Sequence, residues 1–251
     1  MTDQNGLFVY GVVPGDVEPT PDAVGVGDPP APVEVVRHDE LAALVSRIEL
    51  AEPVGTPADL TAYKELLDQV AVVAPVLPVR FGSVRPDAEA VVEFIEARYD
   101  EFLRALDDIE GRVEYIVHGR YVEPELVAGI IATNPAAAEL ARQVRGRPVE
   151  ATREQRIQLG QLLSQEVEPR RDADTRRLLD ALATVVAQST IRPPSHEQDA
   201  VHLAFLVDVD RESDFVAAVE DAAREQRERI SMRLLGPLAP YDFVSPAQPV
   251  G

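Results

Sequence analysis

The sequence predicts an α+β fold made of two domains, residues 1–111 and residues 112–251. Two observations favour this class. Short runs rich in β-branched and aromatic residues, which are typical of strands, are interspersed with longer segments whose apolar residues recur at helical spacing. The composition also changes after Gly111, where an acidic half with mixed elements gives way to a half rich in Ala and Arg. A chain of 251 residues is long enough to form two hydrophobic cores.

The charge and composition of the chain exclude several classes of partner and chemistry. The formal net charge is -20, and residues 1–111 alone carry 22 acidic and 7 basic side chains. Because phosphate backbones and anionic lipids repel such a chain, we predict no nucleic-acid partner and no membrane partner. The absence of cysteine excludes disulfides and thiolate chemistry. With neither a signal-peptide pattern nor a long apolar run, the expected location is the cytoplasm.

The first elements are strands followed by a helix. Residues 7–13 form a short β-branched and aromatic run that Pro14 and Gly15 close, so they predict the first strand. Residues 33–36 and 41–48 are two further extended segments, of which the second could instead begin as a short helix. Apolar residues then recur at helical spacing over residues 60–70, which predicts an amphipathic helix that Pro75 ends.

The rest of the first half continues this mixture. Residues 76–81 predict a strand at a sheet edge or bulge, because its proline cannot donate to a ladder. One long helix is predicted over residues 87–109, since a single apolar stripe runs through them. Apolar and mixed residues alternate over residues 113–117, which predicts a strand with one clearly apolar face.

The second half predicts a helical section of about residues 123–189, followed by a strand, a helix and a strand. Prolines 135, 148 and 169 divide the helical section into predicted segments at residues 126–131, 136–144, 152–167 and 172–188. The closing elements are predicted at residues 201–209, 215–226 and 230–235. We expect the strands of this last unit to pack with the strand at residues 113–117, and the helices of residues 126–189 to cover its apolar sheet face.

No motif in the sequence carries a recognisable enzymatic chemistry. No phosphate-binding glycine loop and no dinucleotide spacing are present, and Ser83 lacks the second glycine of a nucleophile elbow. His196, His202 and Asp199 could converge on a divalent cation. The alternative is that His202 lies on the polar face of a strand and His196 in a polar linker, and we favour it. We therefore predict no catalytic residues, no cofactor and no metal.

Two segments are more specific. Residues 77–82 read Leu-Pro-Val-Arg-Phe-Gly, and residues 236–243 read Gly-Pro-Leu-Ala-Pro-Tyr-Asp-Phe. Together with the opening strand they resemble the gas vesicle protein F/L family, in the family's order, over about residues 7–244. The chain departs from the family pattern at Leu238, where an aromatic residue often follows the Gly-Pro pair.

The resemblance implies an accessory or minor structural protein of the gas vesicle, in the cytoplasm and at the vesicle, without catalysis. It implies two α+β domains, of which residues 1–111 are ferredoxin-like. The expected partner is the small apolar shell protein, with other vesicle accessory proteins as further partners. Two alternatives stay open. One is a ferredoxin-like small-molecule-binding protein or hydrolytic enzyme, and the other is a scaffold that recruits other accessory proteins through the helices of residues 150–190.

The resemblance also marks positions for structure or contact with a partner. These motif positions are Arg80, Phe81, Gly82, Gly236, Pro237, Tyr241 and Phe243. Arg80 is a cation in an otherwise apolar segment, so it is expected either to pair with a partly buried carboxylate or to project toward a partner. The abundance of acids in this half favours the pairing.

Overall fold

The chain folds into two β-sheets flanked by helices, and the computed structural model describes residues 5–20, 22–49 and 55–244. The strands are β1 (Asn5–Pro14), β2 (Glu34–His38), β3 (Leu41–Glu49), β4 (Leu77–Pro78), β5 (Val84–Arg85), β6 (Arg112–Tyr121), β7 (Gln188–Ile191), β8 (Asp199–Asp208) and β9 (Ile230–Leu238). The helices are α1 (Pro57–Ala71), α2 (Ala88–Glu96), α3 (Tyr99–Ile109), α4 (Glu123–Thr133), α5 (Pro135–Val144), α6 (Arg153–Leu182) and α7 (Glu212–Gln226). This mixture confirms the predicted α+β class. In the part of the chain that is described, no helix is both long and apolar enough to cross a membrane.

The first sheet is built around β1. Its strand order is β2-β3-β1-β4, and the short β5 also pairs with β1. Strands β1 and β3 run antiparallel, with a bulge between Val9 and Gly11. Because β3 covers the whole of residues 41–48, the alternative prediction of a helix at its start is wrong.

Helices cover both faces of this sheet. Successive residues of β1 therefore alternate between two apolar clusters. Leu7 and Val9 pack with residues of α2 and α3 on one face. Phe8 and Tyr10 pack with residues of α1 on the other face. A strand that is covered on both sides is apolar at nearly every position, which is why β1 shows no polar alternation.

Helix α1 begins at a capping box that also ties it to an upstream loop. The Asp59 N–H donates to Thr56 Oγ1 at 3.2 Å, and the Asp59 carboxylate accepts the Thr56 N–H at 2.9 Å. The same carboxylate accepts the N–H groups of Gly27 at 2.9 Å and Gly55 at 3.0 Å. Burial alone would raise the pKa of Asp59, but these hydrogen bonds outweigh burial and lower the pKa to about 2.

The depressed pKa of Asp59 predicts a loss of stability in acid. Since the ionised form is favoured in the fold, its contribution is fully present above about pH 4 and is lost as the pH falls toward about 2. We expect Asp59→Asn to lower the free energy of unfolding by about 2 kcal/mol near neutral pH, and by much less at the acid end of this range. Urea unfolding of both proteins across this pH range measures the difference. A difference that does not shrink on acidification would contradict the role of the charge.

The predicted single helix over residues 87–109 is two helices, α2 and α3. Arg98 separates them with φ -135° and ψ 26°, outside the helical region. Its guanidinium donates to Glu101 and lies 5.0 Å from the centroid of the Phe102 ring. A 5.5 Å contact between the ring centroids of Phe94 and Phe102 joins α2 to α3 across the break. Neither Gly nor Pro marks the position, so the apolar stripe alone does not reveal it.

The predicted strand over residues 76–81 is reduced to the two residues of β4. Pro78 has no N–H to donate, and β4 lies at the edge of its sheet, as predicted for a strand that contains proline. The chain then turns through Gly82, whose φ is +87°, and returns to β1 as β5. The predicted length is therefore wrong, whereas the predicted edge position is confirmed.

The second sheet pairs β6 with strands from the later part of the chain. Its order is β7-β8-β6-β9, so β8 and β9 both pair with β6, and the predicted packing of the last strand-helix-strand unit is confirmed. Strand β7 is a correction, because the prediction extends a helix to residue 188. The Arg192 N–H, just after β7, donates to the His202 carbonyl on β8 at 2.9 Å. The periodicity of the local sequence does not reveal long-range pairing of this kind.

Helix α6 continues through Pro169, where the sequence predicts two separate helices. A proline removes one backbone donor and usually ends a helix. Here the two following arginines tether the helix: Arg170 donates to Thr133 Oγ1 at 2.6 Å, and Arg171 donates to the Asp199 carbonyl at 2.7 Å. These tertiary hydrogen bonds compensate for the local cost of the proline.

The chain divides into two compact units. The first unit contains the chain up to Tyr115, Leu206–Val209 and the chain from Gly236 onward. The second unit contains Ile116–Phe205 and Asp210–Leu235. A domain boundary between residues 111 and 112 and a ferredoxin-like topology for the first domain stay predictions.

Candidate functional site

The two most specific sequence segments meet at one cleft in the first unit, which we call the motif cleft. Its volume is about 230 Å³. Its lining residues are Tyr63, Pro78, Val79, Arg80, Phe81, Tyr241 and Val244. Arg80, Phe81 and Tyr241, three of the predicted motif positions, are therefore brought together although they lie far apart in the chain.

One wall of the motif cleft is the turn that follows β4. The Val79 N–H donates to the Tyr10 carbonyl at 2.9 Å, which extends the pairing with β1. The Arg80 carbonyl accepts both the N–H of Ser83, at 3.1 Å, and its hydroxyl, at 2.7 Å. Gly82 lies in the left-handed region that glycine tolerates best. The backbone of the turn is thus held from two sides, and the side chain of Arg80 is left exposed.

Arg80 carries the formal charge in the lining of the cleft. Among the residues that the structure describes, no carboxylate forms an ion pair with its guanidinium. The favoured prediction of a partly buried ion pair is therefore wrong within the described chain. The alternative, a cation that projects toward a partner, stays a prediction.

Aromatic rings enclose the rest of the cleft. The Tyr63 hydroxyl, on α1, donates to the Val79 carbonyl at 2.5 Å. The Tyr63 ring centroid lies 5.3 Å from that of Phe81 and 6.5 Å from that of Tyr241. Burial raises the pKa of the Tyr63 and Tyr241 phenols well above the ordinary value, and the nearby charge of Asp68 adds to the rise. Both phenols are therefore neutral at physiological pH.

Two carboxylates anchor the closing segment that carries Tyr241. The Ala239 N–H donates to Asp68 Oδ1 at 2.8 Å, and the Asp242 N–H donates to Glu114 Oε2 at 2.8 Å. Burial raises the pKa of Asp68 despite the hydrogen bond from Ala239. Glu114 is completely buried. Gly236 starts this segment with a φ of +139°, which glycine adopts readily. This backbone angle directs the chain toward Asp68 and Glu114.

The remaining motif positions support the cleft from outside its lining. Gly82 shapes the turn, and Gly236 and Pro237 lie near the end of β9, before the two anchors. Phe243 packs against the cluster that includes α2 and α3, whereas Tyr241 packs against the cluster that includes α1. The closing segment thus places neighbouring aromatic side chains in both cores of the first unit.

Three residues that build the site are missing from the sequence prediction. Tyr63 lies in the apolar stripe predicted for α1, so its pattern indicates only a core residue. Asp68 and Glu114 are single carboxylates in a chain with 44 acidic residues, and nothing in their spacing distinguishes them. The strand around Glu114 is predicted to have a mixed second face. That face is a weak signal that a polar residue of β6 is buried.

The hydroxyl of Tyr241 gives a prediction about stability. It is buried and makes no hydrogen bond within the described part of the chain. Since an unsatisfied buried hydroxyl costs about 1–3 kcal/mol, Tyr241→Phe should leave the free energy of unfolding unchanged or raise it. The matched control is Tyr63→Phe, which removes the donor to the Val79 carbonyl and should cost about 1 kcal/mol. Urea unfolding of both variants measures the difference. Equal destabilisation by both substitutions would contradict the conclusion that the Tyr241 hydroxyl makes no hydrogen bond among the described residues.

A broader depression of about 850 Å³ also lies in the first unit, lined by residues 26–31, 47–49 and 56–59 in part. Its buried carboxylate, Asp59, is already used as the cap of α1. Residues 50–54 lie outside the described chain.

The residues considered for a metal site form a structural cluster in the second unit. Asp199 Oδ2 accepts the N–H and the hydroxyl of Ser195, at 2.7 and 2.8 Å, and the N–H of His196, at 2.9 Å. Its Oδ1 lies 2.8 Å from His118 Nε2. Burial alone would raise the pKa of Asp199, but these hydrogen bonds lower it. Within the described residues, no three His, Asp or Glu side chains are grouped to hold a metal ion, and His202 instead lies beside His118 with ring centroids 4.9 Å apart.

Comparison with known proteins gives a consistent result over nearly the whole chain. The model of the family described as gas vesicle synthesis protein GvpL/GvpF matches residues 6–245. The chain is 32% identical to gas vesicle protein F of Streptomyces sp. (strain CB03234), over 94% of this chain and 98% of that protein. It is 30% identical to gas vesicle protein L of the same organism, over 96% of this chain and 93% of that protein.

Solved structures show the same fold. The crystal structure of GvpF from Anabaena sp. PCC7120 superposes with a TM-score of 0.80, at 22% identity, and the match covers 96% of this chain and 98% of that one. The crystal structure of GvpF from Microcystis aeruginosa gives a TM-score of 0.74 at 23% identity, with 97% and 99% covered. These likenesses show the fold over the matched part of the chain.

Proposed function

Since this chain belongs to the gas vesicle synthesis protein GvpL/GvpF family and is involved in gas vesicle formation, we propose that it is an assembly factor or minor vesicle component that binds the small apolar shell protein. The observation that carries this proposal is the motif cleft, because two distant segments converge on it. An apolar cleft at the surface of a strongly acidic protein suits a partner that is itself poorly dispersed in water. We place this activity in the cytoplasm and at the vesicle.

The proposal includes binding without catalytic turnover. The lining of the motif cleft offers one guanidinium and two neutral phenols, and none of its residues is a carboxylate or an imidazole. General acid-base catalysis needs a group that titrates near the operating pH. The cleft therefore favours a contact surface over the alternative of a small-molecule or hydrolytic enzyme.

A scaffold role for the helical section has one observation in its favour. Val149 and Ile157 are apolar yet 58% and 52% exposed, before and within α6. The burial of exposed apolar side chains against a partner is favourable. We propose that this face serves other vesicle accessory proteins, as a second candidate beside shell-protein binding at the motif cleft.

Capture after co-expression tests the proposed function. The shell protein should co-purify with this chain. The amount captured should fall little when the salt concentration is raised well above physiological strength, because apolar burial dominates the binding. Purified protein without the shell subunit should hydrolyse no common nucleotide. Complexes that dissociate at moderate salt, or robust nucleotide hydrolysis, would overturn the proposal.

A further inference from the structure

The size of the motif cleft sets what it can hold. Its volume of about 230 Å³ lies below the range of about 300–1,000 Å³ that is typical of pockets for drug-sized ligands. A volume of this size suits one large side chain from a partner. The rings of Tyr63, Phe81 and Tyr241 supply the apolar and aromatic surface that such an anchoring side chain needs.

The positive charge of Arg80 at the cleft indicates which group of the partner lies beside that side chain. Arg80 is exposed in a half of the chain where acids outnumber bases threefold, yet no carboxylate of the described residues pairs with it. A guanidinium binds carboxylates in a two-pronged geometry that few other groups match. The turn that carries it is held by the Ser83 hydrogen bonds to the Arg80 carbonyl, so little backbone order is lost on binding.

We propose that the motif cleft recognises a peptide segment in which one large apolar side chain lies next to a carboxylate. The apolar side chain packs in the cleft against the aromatic rings that line it, and the carboxylate pairs with Arg80 at the rim. The identity of the partner rests on the proposed function, whereas the chemistry of recognition does not depend on it.

Small probes test this recognition on the full chain without the shell protein. N-acetyl-L-phenylalanine carries the apolar side chain and the carboxylate, and N-acetyl-L-phenylalaninamide carries only the side chain. Titration of the isotope-labelled protein, followed by amide NMR signals, should perturb residues 80–83 and 241–243. The acid should bind about fivefold more tightly than the amide, since one charge-assisted pair at an exposed rim has about that effect.

Variants show whether Arg80 carries the preference. Arg80→Gln should make the two probes bind equally, while its melting temperature stays within about 2 °C of the original because the side chain is exposed. Arg104→Gln, an exposed arginine on α3, is the control of equal charge change and should keep the preference. No binding, equal binding of acid and amide to the unaltered chain, or signals that move only outside the cleft would overturn the inference.

The remaining outcomes separate this inference from the proposed function. If the acid is preferred through Arg80 but the shell protein is not captured, the recognition chemistry stands and the proposed partner is wrong. If the shell protein is captured but the probes do not bind, the inference alone fails. Probe binding only after removal of residues 245–251, or only after dissociation of a dimer, would assign the cleft to the chain itself and overturn the inference.

Discussion

Replacing Gly236 with alanine should lower the free energy of unfolding by about 4 kcal/mol, which corresponds to about 10 °C in melting temperature for a chain of this size. A Cβ at this position would lie 2.5 Å from Tyr115 Cδ1 and 2.9 Å from the Glu114 carbonyl oxygen. The φ of +139° also lies in a region that residues other than glycine rarely adopt. Because Tyr115 and Glu114 are buried, neither can move aside cheaply.

The consequence for function follows from the anchors. Gly236 leads into the segment that Asp68 and Glu114 hold, so a displaced backbone should move Tyr241 out of the motif cleft. We expect capture of the shell protein and the yield of vesicles to fall together with stability. Thermal unfolding and capture of the same variant measure both effects.

Two glycines provide graded controls for this substitution. Gly82→Ala meets no atom within 4 Å but keeps a positive φ, so it should cost about 1–2 kcal/mol. Gly129→Ala lies in α4 with open space around it and should stabilise the chain by about 0.5–1 kcal/mol. A Gly236→Ala cost no larger than that of Gly82→Ala would show that the close approach to Tyr115 is not a constraint.

Asp199→Ala is the second substitution with a large expected effect, about 3–5 kcal/mol of destabilisation. The Asp199 side chain is 1% exposed, and its loss would strip the Ser195 and His196 N–H groups of their acceptor. It would also leave His118 and Arg120, at 2.8 and 3.3 Å, without their shared carboxylate. Denaturant unfolding of the full chain measures the cost.

The control for Asp199 is an exposed acid in the same unit. Asp221 pairs with Arg224 at 2.5 Å, three residues along α7, and both side chains are about two-thirds exposed. Exposed pairs of this kind contribute at most about 1 kcal/mol, so Asp221→Ala should have a small effect. If Asp199→Ala were as mild as Asp221→Ala, the buried cluster would not hold the loop before β8 as described.

The sequence predicts those elements whose periodicity is local. β1 follows from a continuous β-branched and aromatic run, and α1, β6 and β8 follow from helical spacing or alternation. The break at Arg98 does not follow, because neither Gly nor Pro marks it. The continuity through Pro169 does not follow, since it depends on hydrogen bonds to residues distant in the chain. β7 is missed for the same reason, because a strand at a sheet edge is selected by its neighbour.

The candidate site is predictable only in part. The resemblance singles out Arg80, Phe81 and Tyr241, and the structure brings these three into one cleft. That they converge depends on the Asp68 and Glu114 anchors, whose carboxylates carry no distinguishing spacing in an acidic chain. Charge pairing at Arg80 is predicted wrongly for a related reason: abundant acids raise the expectation of a partner, but only the fold decides which acids come near.

Amide hydrogen exchange on the captured complex tests the central claim most directly. We expect binding of the shell protein to slow exchange at residues 79–83 and 239–244, around the motif cleft, and to leave exchange at residues 150–158 unchanged. Slower exchange at residues 150–158, with none at the cleft, would contradict the account and favour the helical face as the contact surface.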